Sequence, residues 1–117
     1  MIHLVYTFEP TEYARANMTE FWEWIRERQD WFYNGIEEVL CTRWYVCTVG
    51  ANVHSIEHHV SFADEASWGS YRAELKRRSN DKEWEARRCE QEKWWYIRDA
   101  RLLGDAPVPS IGYDQDS

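Results

Sequence analysis

Residues 42–49 alternate between Thr42, Trp44, Val46, Thr48 and Arg43, Tyr45, Cys47, Val49; after the turn residues Gly50-Ala51-Asn52, a second β-rich run fills positions 53–62. Period-two alternation sends successive side chains to opposite faces of a sheet, and so short a connection joins only antiparallel neighbours. The chain must therefore build a sheet around a central hairpin. On the second run Ile56, His58, Val60 and Phe62 share one face, with Glu57, His59 and Ser61 on the other.

Helical patterns flank the hairpin. Before it, Phe21, Trp22, Ile25, Gln29 and Phe32 recur at helical intervals, with Trp24 and Trp31 one heptad apart on a neighbouring stripe. This helix starts either at Thr11 or at Asn17, where Asn17 and Glu20 have capping-box spacing, and Asn34-Gly35 ends it. After the hairpin, Asp64 caps a helix carrying Ala66, Trp68, Tyr71, Arg72 and Leu75, and Asp81 caps a further segment with Trp84, Arg87, Arg88, Gln91 and Trp95. Residues 2–8 form a first strand stopped by Glu9-Pro10, and residues 96–103 a last one closed by Gly104.

The order is β-α-β-β-α-β, an α+β chain of ferredoxin-like type whose four-stranded antiparallel sheet carries helices on one face. Leu4, Tyr6, Phe8 and the hairpin aromatics are expected to make the opposite face too apolar for solvent, so a second copy is expected to cover it with two-fold symmetry. One domain over residues 1–104 accounts for nearly all of the 117 residues, and residues 105–117 are expected as a tail or an arm over the partner subunit.

Composition limits the partners. With 14 Lys and Arg against 21 Asp and Glu, a net charge of −7 disfavours nucleic acid and anionic membrane surfaces. Three cysteines without a CxxC pair point to reduced thiols and a cytoplasmic setting, and no signal peptide or membrane-spanning run is expected. Eight Trp, seven Tyr and four Phe exceed what one small core holds, so some of them are expected to line a cavity or a subunit contact.

The opening Met1-Ile2-His3-Leu4-Val5-Tyr6-Thr7-Phe8, the segment Ser55-Ile56-Glu57-His58-His59-Val60-Ser61-Phe62-Ala63-Asp64 and the closing Trp94-Trp95-Tyr96-Ile97-Arg98-Asp99-Ala100-Arg101-Leu102-Leu103 resemble the dimeric α+β barrel superfamily, and within it the NIPSNAP-like branch. The resemblance spans residues 1–103. Members include cofactor-independent antibiotic-biosynthesis monooxygenases, polyketide cyclases, haem-degrading monooxygenases and muconolactone isomerases. It implies a homodimer with a pocket in each subunit between the sheet and the helices. In the polyketide cyclase of the superfamily, histidines on the first and third strands face that pocket, which implies such a role for His3 and His58. Some relatives hold haem through a helical histidine, and neither main helix here contains one.

His58 is the leading acid/base candidate, since an imidazole both accepts and donates protons near neutral pH; the plain alternative is a core histidine bonded to a nearby acceptor. His3 is a further catalytic candidate, and His59 is expected at the dimer contact. Tyr71 and Trp68 share a helix face, so Tyr71 is expected to donate to a substrate oxygen while Trp68 packs on a ring. Arg88 and Gln91 sit in an otherwise apolar stripe; buried, they need partners, either a bound anion or a structural acid such as Glu57 or Asp99. Trp24, Trp44, Trp84 and Phe62 complete the expected substrate-binding wall. No metal or cofactor is expected: His58 and His59 point to opposite faces, and no zinc spacing, phosphate loop or dinucleotide fingerprint is present.

These features support an enzyme of specialised metabolism acting by acid/base chemistry on an aromatic or polyketide-like molecule, through cyclisation, isomerisation or the deprotonation that precedes reaction with O₂. The alternative is a non-catalytic homodimer that binds a small ligand or a protein partner.

Overall fold

The computed structural model describes residues 1–108 and 111. Nine elements follow in order: β1 (Ile2–Pro10), α1 (Glu12–Ala16), α2 (Met18–Phe32), β2 (Cys41–Val46), β3 (Ile56–Phe62), α3 (Glu65–Arg78), α4 (Lys82–Cys89), α5 (Gln91–Trp94) and β4 (Trp95–Gly104). The strands form one antiparallel sheet in the order β2-β3-β1-β4, the arrangement expected of a ferredoxin-like chain.

Both candidate starts of the first helix are used. The Thr11 hydroxyl accepts from the amide of Ala14 and caps α1, and the chain breaks at Asn17 before α2 begins. Asn17 makes no side-chain cap; its Nδ2 donates to the Tyr13 carbonyl instead, so the capping-box spacing with Glu20 is not used. Gly35, at φ 78°, takes the left-handed turn past the end of α2. The caps at Asp64 and Asp81 form as the sequence indicates. The hairpin is shorter in its strands and wider in its turn than the alternation suggests, because bonds between Cys47 and residues 54–55 close it below the tip.

The two faces of the sheet differ from expectation. Leu4, Phe8, Ile56, Val60 and Phe62 are buried beneath the helices, in two clusters. The first joins Phe8 and Ile56 to Ala14, Phe21, Ile25, Trp94 and Trp95; the second joins Leu4, Val60 and Phe62 to Ile36 and Tyr71. Tyr6 packs against both. Leu4, Tyr6 and Phe8 thus belong to the helix side, not to a greasy reverse side. The period of two then gives the reverse face His3, Val5, Thr7, Glu57, His59 and Ser61, a more polar set. Among the described residues no helix is long and apolar enough to cross a membrane. Most of the expected tail or dimer arm lies outside the described residues.

A candidate site between the helices and the sheet

Between the two core clusters lies a chamber of about 190 Å³. The sheet contributes Tyr6, Phe8, His58 and Ile97; α2 and the residue after it contribute Arg28, Phe32 and Tyr33; Tyr71, Leu75, Arg88 and Gln91 come from the later helices. Larger hollows of about 500, 540 and 580 Å³ lie elsewhere, but they are open grooves, and in the last of them Arg15 is paired with Glu9 at 3.6 Å. The small chamber is where buried polar chemistry converges.

His58 is 1% exposed and held at both ring nitrogens. Its Nδ1 lies 3.0 Å from the Arg43 carbonyl, which can only accept, so Nδ1 carries the proton. Nε2 then presents its lone pair, 2.8 Å from the Tyr33 hydroxyl, which donates to it. Trp44 stacks on the imidazole at 3.7 Å, and its indole N–H is tied to Gln29 at 2.9 Å. Burial, with lesser contributions from the charges of Arg28 and His59, pulls the His58 pKa down to about 3, against the raising effect of the bond to Arg43. The ring is neutral at physiological pH and reaches the chamber through Tyr33. Burial also raises the hydroxyl pKa values of Tyr6, Tyr33 and Tyr71, with Arg28 acting in the opposite direction on all three. The chamber therefore presents phenols in their neutral, donating form.

Arg28 supplies the charge. It lies on the buried stripe of α2 with Phe21, Ile25 and Phe32, and is itself only 6% exposed. Its guanidinium sits 3.9 Å over the Phe32 ring and 5.4 Å from that of Trp95, yet Nε and Nη1 find no acceptor among the described residues. A buried cation in this condition destabilises a fold, which makes Arg28 the most informative residue of the site.

Of the residues expected from sequence, His58, Tyr71, Arg88 and Gln91 line the chamber together. Arg88 is paired on its own helix with Glu85, its Nε donating at 2.9 Å, and not with Glu57 or Asp99. His3 is a correction: its partner across the ladder is Ser61, so it faces away from His58, with Nδ1 2.7 Å from the Ser61 hydroxyl and Nε2 2.6 Å from Asp105. The alternation of β1 puts positions 3 and 6 on opposite faces, and the helix-facing neighbour of His58 is Tyr6. His59 also points to the reverse face, where it meets Glu57 at 2.7 Å.

The expected tryptophan wall is likewise replaced by tyrosine, phenylalanine and arginine. Trp24 packs on Trp94 and Trp95, Trp84 on Trp31 and Phe32, and Phe62 on Tyr71, while Trp68 joins the second core cluster; Trp44 backs His58. These rings surround the chamber without lining it. Arg28, Tyr33 and Tyr6 are the lining residues that the sequence did not single out. No group of three or more His, Cys, Asp or Glu side chains able to hold a metal occurs among the described residues.

Helices on one face of a four-stranded antiparallel sheet, with a chamber between, define a ferredoxin-like α+β fold. No protein-family model and no curated protein matches the sequence. Solved structures do share the fold. Protein Atu4242 from Agrobacterium tumefaciens is similar at a TM-score of 0.65 and 15% identity, over 92% of this chain and 96% of that one. An uncharacterized NIPSNAP domain protein from Burkholderia xenovorans is similar at 0.63 and 16%, over 92% and 97%. HapK from Hahella chejuensis is similar at 0.57 and 14%, over 97% of both chains. At such identities the likeness is one of fold.

Proposed function

We propose that the protein is a small-molecule enzyme that moves a proton on an oxygenated aromatic or polyketide-like substrate, without metal or organic cofactor. The observation that carries this is the Tyr33–His58 pair: a hydroxyl at the chamber wall, hydrogen-bonded at 2.8 Å to the lone pair of a buried neutral imidazole. A substrate C–H or O–H proton passes to Tyr33 Oη as the hydroxyl's own proton passes to His58 Nε2. The electron pair stays on the substrate as an enolate or phenolate, held by the Tyr71 hydroxyl. Imidazolium at His58 is costly in the empty chamber, but the oxyanion formed beside it offsets that cost, so charge separation is favoured only with substrate in place. At about 190 Å³ the chamber is smaller than the roughly 300–1,000 Å³ of pockets for drug-sized ligands, which suits a one-ring molecule or one end of a longer chain. Cyclisation, isomerisation and deprotonation before attack on O₂ all begin with this step.

The test needs no knowledge of the natural substrate. Enolisable one-ring ketones and diketones are incubated with the protein in D₂O, and loss of the exchangeable C–H signal is followed by NMR. Wild type should accelerate exchange, and Tyr33→Phe and His58→Ala should each lower the rate by ~10²–10⁴-fold. Wild-type exchange no faster than buffer, across the series, would leave the chamber as a ligand-binding site without catalysis.

A homodimer accompanies this proposal. Tyr96, Ile97, Leu102 and Leu103 are 61%, 55%, 39% and 41% exposed along the edge strand β4, Ile97 and Leu102 on the helix side and Tyr96 and Leu103 on the reverse side, and a second copy meeting that edge would cover them. Light scattering should give about twice the 14.2 kDa chain mass; a monomer at high concentration would remove the dimer from the proposal.

A further inference from the structure

The buried polar side-chain atoms that lack a hydrogen-bond partner among the described residues are Arg28 Nε, Arg28 Nη1, Trp84 Nε1 and Trp95 Nε1. All are N–H donors. They belong to one neighbourhood: the Arg28 guanidinium lies 3.9 Å from the centre of the Phe32 ring and 5.4 Å from that of Trp95, and Trp84 packs on the same Phe32 at 5.5 Å. Of these residues Arg28 lines the chamber, and a ligand that relieves its Nε and Nη1 must bring oxygen lone pairs and not N–H or O–H groups.

The charge balance points the same way. The chain carries 21 acidic residues against 14 basic ones, so carboxylates are plentiful, yet none lines the chamber. The other arginine there, Arg88, has its own acid in Glu85. The counter-charge of Arg28 is thus missing from the side chains around it.

Resting on the chamber being a small-molecule site, we infer that its ligand carries a carboxylate, seated on Arg28, on a ring or short chain packed against Phe8, Phe32 and Tyr6. A carboxylate supplies one negative charge, which matches the one cation of the chamber lining that no described acid neutralises, and its acceptors complement the guanidinium. A phosphate ester brings up to two charges and a larger hydrated head into a chamber of about 190 Å³ whose other cation, Arg88, is already held by Glu85, and fits less well.

Titration calorimetry and tryptophan fluorescence on the full chain decide this, with acid and amide pairs of equal shape as probes: benzoate and benzamide, phenylacetate and phenylacetamide. At least one acid should bind ~10–100-fold more tightly than its amide, the ratio expected of a charge-assisted hydrogen bond in a desolvated site. Arg28→Met should bring that ratio close to one, while Arg26→Met, on the exposed side of the same helix, should leave it unchanged. Acids and amides binding equally to wild type, or an undiminished preference in a folded Arg28→Met protein, would overturn the inference. So would inorganic phosphate binding more tightly than every acid. The wild-type comparison stands even if the variant fails to fold. Tyr33→Phe separates this inference from the proton relay, since it should abolish exchange and keep the acid-to-amide ratio.

Discussion

Replacing Arg28 by Met should make the protein more stable while emptying the chamber of its charge. Leaving the donors of a buried charged group without acceptors costs about 1–3 kcal/mol for each, and Arg28 has two such nitrogens at 6% exposure. Against this stands the attraction of the guanidinium to the Phe32 and Trp95 rings at 3.9 and 5.4 Å, worth ~2 kcal/mol when desolvated. Methionine is unbranched, flexible enough to follow the arginine stem, and its sulfur packs well on the same rings. Removing the charge and both unsatisfied donors should therefore leave a net gain centred on about 2 kcal/mol, within a range of about 0–4 kcal/mol, in line with other buried ionic groups replaced by apolar side chains. For a chain of this length the central value corresponds to a rise in Tm of ~4–12 °C, read by thermal melts at neutral pH without ligand. The same variant should lose discrimination between carboxylates and amides. A lower Tm would refute this account, because it would mean that Arg28 is held by interactions that stabilise the fold and has no need of a ligand.

Stability should also depend on pH through His58. Its pKa is about 3 in the folded chain against 6.5 for the free side chain, so the unfolded chain binds a proton across that interval and the folded chain does not. The stability of the neutral state is full above ~6.5 and declines as pH falls, by up to about 1.4 kcal/mol per unit until about 3. Urea melts of wild type and His58→Gln at pH 7.5 and 4.5 should differ by roughly 2–3 kcal/mol in their pH dependence; parallel slopes would exclude His58 as the source. A third prediction concerns the joint between α2 and α3. Arg78 donates to the carbonyls of Phe32 and Asn34 at 3.2 and 2.6 Å, at the open end of α2, and is steadied by Glu74, whose carboxyl is held down to about 2 by Arg77 and Arg78. Arg78→Ala should cost about 1–2 kcal/mol in urea melts, and a loss below the error of the melt would show that water satisfies those carbonyls equally well.

The fold was legible because its signals are local and repeated. Alternation at 42–49 and 53–62, the caps at Asp64 and Asp81 and the glycine at 35 each specify a backbone geometry within a few residues, and together they leave one order of elements. Which side of the sheet the helices cover is not local information. Both faces of β1 carry apolar groups, so residues 2–8 by themselves do not say whether the helices cover the face of Leu4, Tyr6 and Phe8 or that of His3, Val5 and Thr7. The register does: Tyr6 stands opposite His58, and Phe8 opposite Ile56, on the strand face that meets Phe21 and Tyr71. Pairing residues 6 and 58, which are far apart in sequence, settles the direction of every side chain between them.

The site was legible in half for a related reason. His58 and Tyr71 stand out because imidazole and phenol are reactive wherever they lie, whereas Arg28 is informative only through what surrounds it. Positions 21, 25, 28 and 32 follow the helical repeat as well as any set in α2, and Arg28 is in phase with the core. A charged residue in such a place is ordinarily read as solvated, so the neighbouring Gln29 appeared the better member of the stripe, although it is only half-buried and serves Trp44 and Thr42. For Arg88 the same logic ran the other way: its phase with Trp84 and Trp95 suggested burial, but the helix breaks between Cys89 and Gln91, the phase is lost, and Glu85 one turn back neutralises it. Phase along a helix therefore identifies which arginine turns inward only where the helix stays continuous. What the inward arginine lacks becomes visible only once all its neighbours are in place, and here the missing neighbour is an acceptor that no residue of the chamber supplies.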